Sequence, residues 1–253
     1  MSANGTNMKG ELKVSCFNVR GIMPSTKCIE NIIEEYDVDI IGVTEHWLFP
    51  NMLSYLNSID PSYYGFGVSN ATLDPYISHH RGKGGVGFIC KKSMRPYISC
   101  MDFETDRICG ITIKFPDCIA INIAIVYMPS TNCTAADFSD HIEQLYDLHN
   151  TYHTDSSELI IMGDFNCEIK GERCKRITPY RGPQLKAFLE NVNFESVNNS
   201  EMCTGPSYTF EATAENANST MIDHVLIDRN SLNRIIKCCI LEAKGNVSDH
   251  LPI

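Results

Sequence analysis

Ser248-Asp249-His250 places a hydroxyl, a carboxylate and an imidazole side by side, just before an apolar end at Leu251-Pro252-Ile253. Four polar clusters precede it, each at the end of a strand-like run: Asn18, Glu45, Tyr127, and Asp164 with Asn166. Together they have the composition of a site that holds a divalent cation and hydrolyses a phosphodiester. That reaction needs charge neutralisation on the phosphoryl oxygens, an oriented water and help for the leaving alkoxide. Magnesium suits the first and third tasks, with manganese as a substitute, because it takes one or two carboxylates and fills its shell with water and substrate oxygens. Glu45 is the expected metal ligand, with Asn18 as a neutral neighbour to ligand or water. Asp164 is expected to orient or deprotonate the attacking water, Asn166 to donate a hydrogen bond to the phosphate, and His250 to polarise the phosphate or move a proton. His250 needs a carboxylate to set its tautomer, and Asp223 is the candidate. Gly163-Asp164-Phe165-Asn166 is the most specific segment, since an apolar strand running straight into Asp-x-Asn is costly unless those polar groups are used. An asparagine at a strand end is otherwise usually a turn former. His46, His79, His80 and His224 read as structural or exposed.

These residues have to be positioned by strand ends. Leu12 to Val19 reads as a strand, Pro24-Ser25 as a turn, and Ser25 or Thr26 as the cap of a helix to about Tyr36. Val38 to Thr44 reads as a short buried strand, giving a βαβ-like opening. Asn51 to Lys83 reads as a long surface excursion with little regular structure. Gly82-Lys83-Gly84-Gly85-Val86-Gly87 fails the phosphate-loop spacing, so its glycines are expected to lead into a strand. Strands are expected at Val86 to Lys91, Cys109 to Phe115 and Ile119 to Tyr127, with Pro116-Asp117 turning between the last two. An amphipathic helix is expected over Ala135 to His149, a strand over Glu158 to Met162 and a helix over Pro183 to Asn191. Later strands are expected at Ser207 to Glu211, Met221 to Ile227, Ile235 to Leu241 and Val247 to Ile253.

A chain of 253 residues with 43% apolar and 21% charged side chains suits one α/β domain with a well-buried core. Residues 1–10 read as a loose polar tail and 11–253 as a single domain, monomeric and cut from a longer protein. No apolar run reaches the length of a membrane span, and the N-terminus has no signal-peptide core, so an intracellular location is expected. Twelve cysteines without CxxC or zinc-finger spacing read as reduced thiols, several of them inside apolar runs. The net charge of −10 is unusual for a nucleic-acid binder. Metal ligands would account for some of the acids, and basic residues cluster at Arg81-Lys83, Lys91-Lys92 and Arg173 to Lys186.

The ordered set Cys16-Phe17-Asn18-Val19-Arg20-Gly21, Thr44-Glu45, Val126-Tyr127-Met128-Pro129, Gly163-Asp164-Phe165-Asn166, Met221-Ile222-Asp223-His224 and Ser248-Asp249-His250 resembles the endonuclease/exonuclease/phosphatase family. The resemblance implies a four-layer α/β sandwich, two mixed β-sheets packed face to face and flanked by helices. It places Asp249 near the metal and Tyr127 on the phosphate, with Arg20 of the first motif as a further substrate contact. Within the family the chain looks most like endonuclease domains of non-LTR retrotransposons, through Asn18-Val19-Arg20-Gly21, Thr44-Glu45-His46-Trp47-Leu48, Gly84-Gly85-Val86-Gly87, and Gly182 through Leu189 before Val197-Asn198. That likeness implies DNA as substrate, a nick that primes reverse transcription, a reverse transcriptase domain C-terminal in the full-length protein, and a nuclear location. Two alternatives stand beside it. A phosphatase of small phosphorylated ligands is disfavoured by the lack of the inositol 5-phosphatase Pro-Ala-Trp-Cys-Asp-Arg signature after Ser207. A non-catalytic domain retaining the fold is disfavoured because all eight site positions are intact.

Overall fold

The computed structural model describes residues 11–70, 81–103, 105–130, 133–212 and 218–253. The elements run β1 (Val14–Asn18), α1 (Ile22–Tyr36), β2 (Ile40–Thr44), β3 (Tyr63–Val68), β4 (Val86–Lys91), β5 (Ile98–Cys100), β6 (Ile108–Ile113), β7 (Ala120–Tyr127), α2 (Ala135–Tyr152), β8 (Ser157–Asp164), α3 (Arg181–Asn191), β9 (Phe194–Ser196), β10 (Cys203–Thr204), β11 (Asp223–Asp228) and β12 (Cys238–Cys239). One mixed sheet has the order β1-β2-β4-β3 and a second the order β5-β6-β7-β8-β11-β9, while β10 and β12 form a short parallel pair.

The strands are apolar on both faces, and their two-residue period sorts side chains into separate cores. From the first sheet Cys16, Ile40, Val86, Phe88 and Cys90 point inward, and from the second Cys109, Ile111, Ile123, Ile125 and Met162 meet them. On the outer face of the first sheet, Phe17, Ile41, Val43 and Ile89 pack on Ile22, Cys28, Ile29 and Ile32 of α1. On the outer face of the second, Ala124, Val126, Leu159 and Ile161 pack on Phe138, Leu145 and Leu148 of α2 and Leu185 and Phe188 of α3. Helix, sheet, sheet and helices thus make the four layers expected.

Several local expectations are corrected. Helix α1 starts at Ile22, with Gly21 as its uncapped N-cap residue. Pro24 falls inside its first turn, where no backbone N–H is needed, and Ser25 donates to the Val19 carbonyl instead of capping. The excursion from Asn51 contains a 3-10 segment, Pro50–Ser58, and strand β3, which pairs along the whole of β4. Gly65 and Gly67 interrupt the apolar pattern that would have marked β3. Residues 71–80, with His79 and His80, lie outside the described residues. Two later expected strands shrink: Phe210, before β11, makes only isolated bridges to Thr220 and His250, and Ile235 to Leu241, after it, keeps two strand residues. Residues 247–253 form no strand. Pro252 has no N–H to give, and the segment is instead fastened by a mutual pair of backbone bonds between Cys16 and Ile253 (2.9 and 3.0 Å).

Candidate active site

The polar residues gather because their strands end at one edge of both sheets. β1 and β2 run parallel with Asn18 beside Thr44, so Glu45 follows at the same edge. β7 and β8 run parallel with Tyr127 beside Asp164, and β11 runs back so that its first residue, Asp223, faces Asp164. Two glycines make the edge possible. Gly163, at φ 136°, lies so close to β7 that a Cβ would stand 2.1 Å from the Val126 carbonyl oxygen. Gly85, at φ 88°, lies under the His46 ring, where a Cβ would stand 2.3 Å away. The glycine run before β4 is therefore a close approach of backbone to side chain.

Asn18 ties the sheets together, its Nδ2 donating to Glu45 Oε1 and to Asp164 Oδ2, both at 2.9 Å. Glu45 Oε2 accepts from the Trp47 indole N–H at 3.0 Å, and the Tyr127 phenol lies close enough to feel the charge of the same carboxylate. Burial, and then the charges of Glu45 and Asp164, push the Tyr127 phenol above its ordinary range, so it stays a donor. Asp164 Oδ1 accepts from the backbone N–H of Asn166 at 2.8 Å, while Asn166 Nδ2 donates to the Met128 carbonyl at 2.9 Å.

Asp223 and His250 form a buried pair, Oδ2 to Nδ1 at 2.8 Å. Burial alone would disfavour the imidazolium, but the Asp223 charge and hydrogen bond, helped by Asp164, raise the His250 pKa to about 9. Burial first, and then the Asp223 charge, raise the Asp164 carboxyl above the usual carboxylate range, with His250 partly offsetting them. The edge thus groups two acids with an imidazole whose charged form is favoured, and one of the acids, Asp164, has its carboxyl pKa raised.

Residues with no role assigned from the sequence hold these groups. Thr209 Oγ1 accepts from the backbone N–H groups of Ile222 (3.1 Å) and Asp223 (3.0 Å). Asn198 donates to the Asp223 carbonyl at 2.9 Å and accepts from the Val225 N–H at 2.9 Å. Ser248 Oγ donates to the Asn18 carbonyl at 2.8 Å and accepts from the His250 N–H at 3.1 Å, which closes the last loop onto β1. The only available signals were weak: a threonine between aromatic residues, and a hydroxyl beside Asp249-His250. His46 and His224 are buried and neutral, burial lowering each pKa to about 4. His46 accepts from the Leu48 N–H at 3.0 Å on Nδ1 and so donates to the Val68 carbonyl at 3.0 Å from Nε2.

Among the described residues, the only group of three or more His, Cys, Asp or Glu side chains whose ligand atoms lie within 4.8 Å of one another is Asp164, Asp223 and His250. The expected acidic ligands Glu45 and Asp249 lie outside it. As it stands that group is a poor cage, because His250 Nδ1 is already bonded to Asp223 and the ring is protonated. Asp249 pairs with the Arg20 guanidinium through Oδ2, while its Oδ1 is buried without any hydrogen-bond partner. Such an orphaned acceptor costs on the order of 1–3 kcal/mol and is the donor a hard cation takes up. Asp249 Oδ1 is therefore an oxygen of the kind a magnesium-like ion takes, as is the Glu45 carboxylate, while the Asn18 amide oxygen already accepts from the Arg20 N–H at 3.1 Å.

Although the chain carries a net charge of −10, arginines rim this edge. Arg107 Nη1 donates to the Tyr127 carbonyl at 3.2 Å, and Arg181 reaches the Ser130 (2.5 Å) and Asn166 (3.4 Å) carbonyls. The Arg81 guanidinium lies 3.6 Å over the Trp47 ring. Among the described residues no helix is long and apolar enough to cross a membrane.

The sequence model of the endonuclease/exonuclease/phosphatase family matches residues 16–250. No curated protein matches the chain. The fold is similar to the endonuclease domain of TRAS1, a telomere-specific non-LTR retrotransposon, with TM-score 0.70, 15% identity and coverage of 96% of each chain. It is similar to the AP endonuclease LMAP from Leishmania major, with TM-score 0.73 and 14% identity over 95% of this chain and 86% of that one. An AP endonuclease from Archaeoglobus fulgidus has TM-score 0.64 and 19% identity over 96% of this chain and 97% of its own.

Proposed function

The chain belongs to the endonuclease/exonuclease/phosphatase family, and on that premise we propose that it is a divalent-metal-dependent DNA endonuclease leaving 5′ phosphate and 3′ hydroxyl ends. The observation that carries this reading is the joined pair of clusters at the sheet edge: Glu45 linked through Asn18 to Asp164, and Asp164 beside the Asp223–His250 pair. Mg²⁺, or Mn²⁺ in its place, would be held by Glu45, Asn18 and Asp249, and when bound supplies charge neutralisation to the phosphate and the leaving oxygen. Asp164, with its raised pKa, accepts a proton from a water near neutral pH. His250, kept charged and oriented by Asp223, donates to a phosphoryl oxygen. The protonated Tyr127 phenol and the second N–H of the Asn166 amide add donors to the same phosphate. Arg20, half-exposed on Asp249, exchanges that carboxylate for the incoming phosphate.

DNA as the substrate is supported by the arginines at this edge and by the endonucleases among similar structures. The likeness to the TRAS1 domain supports a narrower role: nicking target DNA for reverse transcription primed at the nick, beside a C-terminal reverse transcriptase domain in a nuclear protein. In that role residues 11–253 act as one monomeric catalytic domain. Supercoiled plasmid incubated with the protein and Mg²⁺ is expected to yield nicked circles that EDTA and His250→Ala abolish. Intact plasmid at micromolar enzyme sinks the proposal. Release of phosphate from small phosphorylated compounds instead would move the activity to the phosphatase branch of the family.

A further inference from the structure

Tyr180 is the most exposed large apolar or aromatic side chain among the described residues, at 79%. Its backbone is unusual as well, with φ 64° and ψ −45°, and the N–H of Arg181 bonds the Pro179 carbonyl across it at 2.8 Å. This is a three-residue turn of the rare positive-φ kind, which an L side chain adopts only when its surroundings force it. The forcing contacts are clear. Thr178 bonds Glu168 through both backbone N–H (3.0 Å) and Oγ1 (2.7 Å), and Gly182 donates back to the Thr178 carbonyl at 2.9 Å. On the other side Arg181 is anchored on the carbonyls of Ser130 and Asn166. A strained turn is therefore clamped to the segment that follows Asp164, and it projects a phenol ring into solvent beside the site, with half-exposed Ile177 in the same loop. Glycine would meet the backbone requirement without strain, and no packing of the ring explains tyrosine here.

We propose that Tyr180 is a nucleobase-stacking residue that takes the face of a DNA base unstacked next to the phosphodiester bound at the Asp164 edge. The inference deepens the endonuclease reading and rests on it for the position of the phosphate. A flat ring with a polar tip suits every base, since each offers a π-face, and Arg181 at the next position fixes the turn against the loop that carries Asn166. A base leaves its stack most readily at a distorted or unpaired step, so the site favours DNA with such a step.

The test uses the whole chain, EDTA to prevent cleavage, and a duplex with a single extrahelical 2-aminopurine, whose fluorescence is quenched on stacking. Wild type is expected to quench it on binding, Tyr180→Phe to behave within about twofold, and Tyr180→Ala to lose quenching and about tenfold to a hundredfold in affinity. Tyr180→Gly is expected to lose affinity equally while its melting temperature stays the same or rises, because the positive φ no longer carries a side chain. Equal quenching and affinity for wild type and Tyr180→Ala overturn the proposal, as does a wild type that binds no DNA. Quenching by wild type without plasmid nicking in Mg²⁺ would remove the hydrolytic reading and leave the stacking site standing.

Discussion

Trp47 is the only tryptophan of the chain, and its indole N–H is one of two donors hydrogen-bonded to the Glu45 carboxylate, with Asn18 the other. Donors outside a metal shell set the angle at which a ligand oxygen is presented, and losing one typically weakens the ion about tenfold to a hundredfold. Trp47→Phe is therefore expected to weaken Mg²⁺ binding by about tenfold with the fold intact. Calorimetric titration checks this, and an unchanged affinity would remove Trp47 from the site's support. Asp223 acts on His250 in the same indirect way. Asp223→Asn removes the charge that keeps the imidazole protonated, so nicking is expected to fall about a hundredfold or more. A rate within a few-fold of wild type would mean that His250 does not work as a cation.

Elements contribute unequally to the site. Strands β7 and β8 deliver Tyr127 and Asp164 in register because Gly163 lets the chains close together. Gly163→Ala is expected to cost about 3 kcal/mol in urea unfolding, through the blocked contact and the strained φ, and to reduce nicking beyond that loss. Helix α2 lies on the outer layer. Its start is fixed by a capping box, in which Thr134 Oγ1 accepts from the Asp137 N–H at 3.1 Å and the Asp137 carboxylate accepts from the Thr134 N–H at 2.8 Å. Thr134→Ala is expected to cost about 1 kcal/mol and leave nicking rates untouched, since α2 carries no site residue. A comparable loss of activity in both variants would show that the layers do not act separately.

At the scale of the whole molecule the buried histidines set the acid and alkaline limits. His46 and His224 have folded pKa values near 4, below the ordinary 6.5, so their contribution is complete above pH 6.5 and is lost as the pH falls toward 4. Asp164, with its raised pKa, works in the opposite direction over that range, one group against two. His250 has a raised pKa, so its contribution is present below about 6.5 and is lost as the pH rises through about 9. Metal-free protein is therefore expected to be most stable near pH 6.5, with urea midpoints falling toward pH 4 on one side and toward pH 9 on the other. A midpoint that stays level down to pH 5 would contradict neutral His46 and His224.

The order of Asn18, Glu45, Tyr127, Asp164 and Asn166 was legible in the sequence, since each stands where an apolar run stops and polar groups there are costly unless used. Asp223 and His250 were legible as a carboxylate needed beside an imidazole and from the family resemblance. The main strands and the two outer helices of the second sheet were legible for the same reason. Which strands share a sheet was not, because nearly all are buried on both faces and show no alternation of apolar and polar residues to mark one side. β3 was hidden by its glycines, and 247–253 read as a strand although it makes only one isolated bridge, His250 to Phe210, because an apolar run does not say whether its N–H groups find a ladder. The pairing of Asp223 with His250 was already the sequence's candidate, and the two are hydrogen-bonded in the structure. Only the tertiary structure set Asn18 between Glu45 and Asp164, and Arg20 on Asp249. It also brought in Trp47, Thr209, Asn198 and Ser248, whose hydrogen bonds depend on chains meeting in space across separations that no local spacing records.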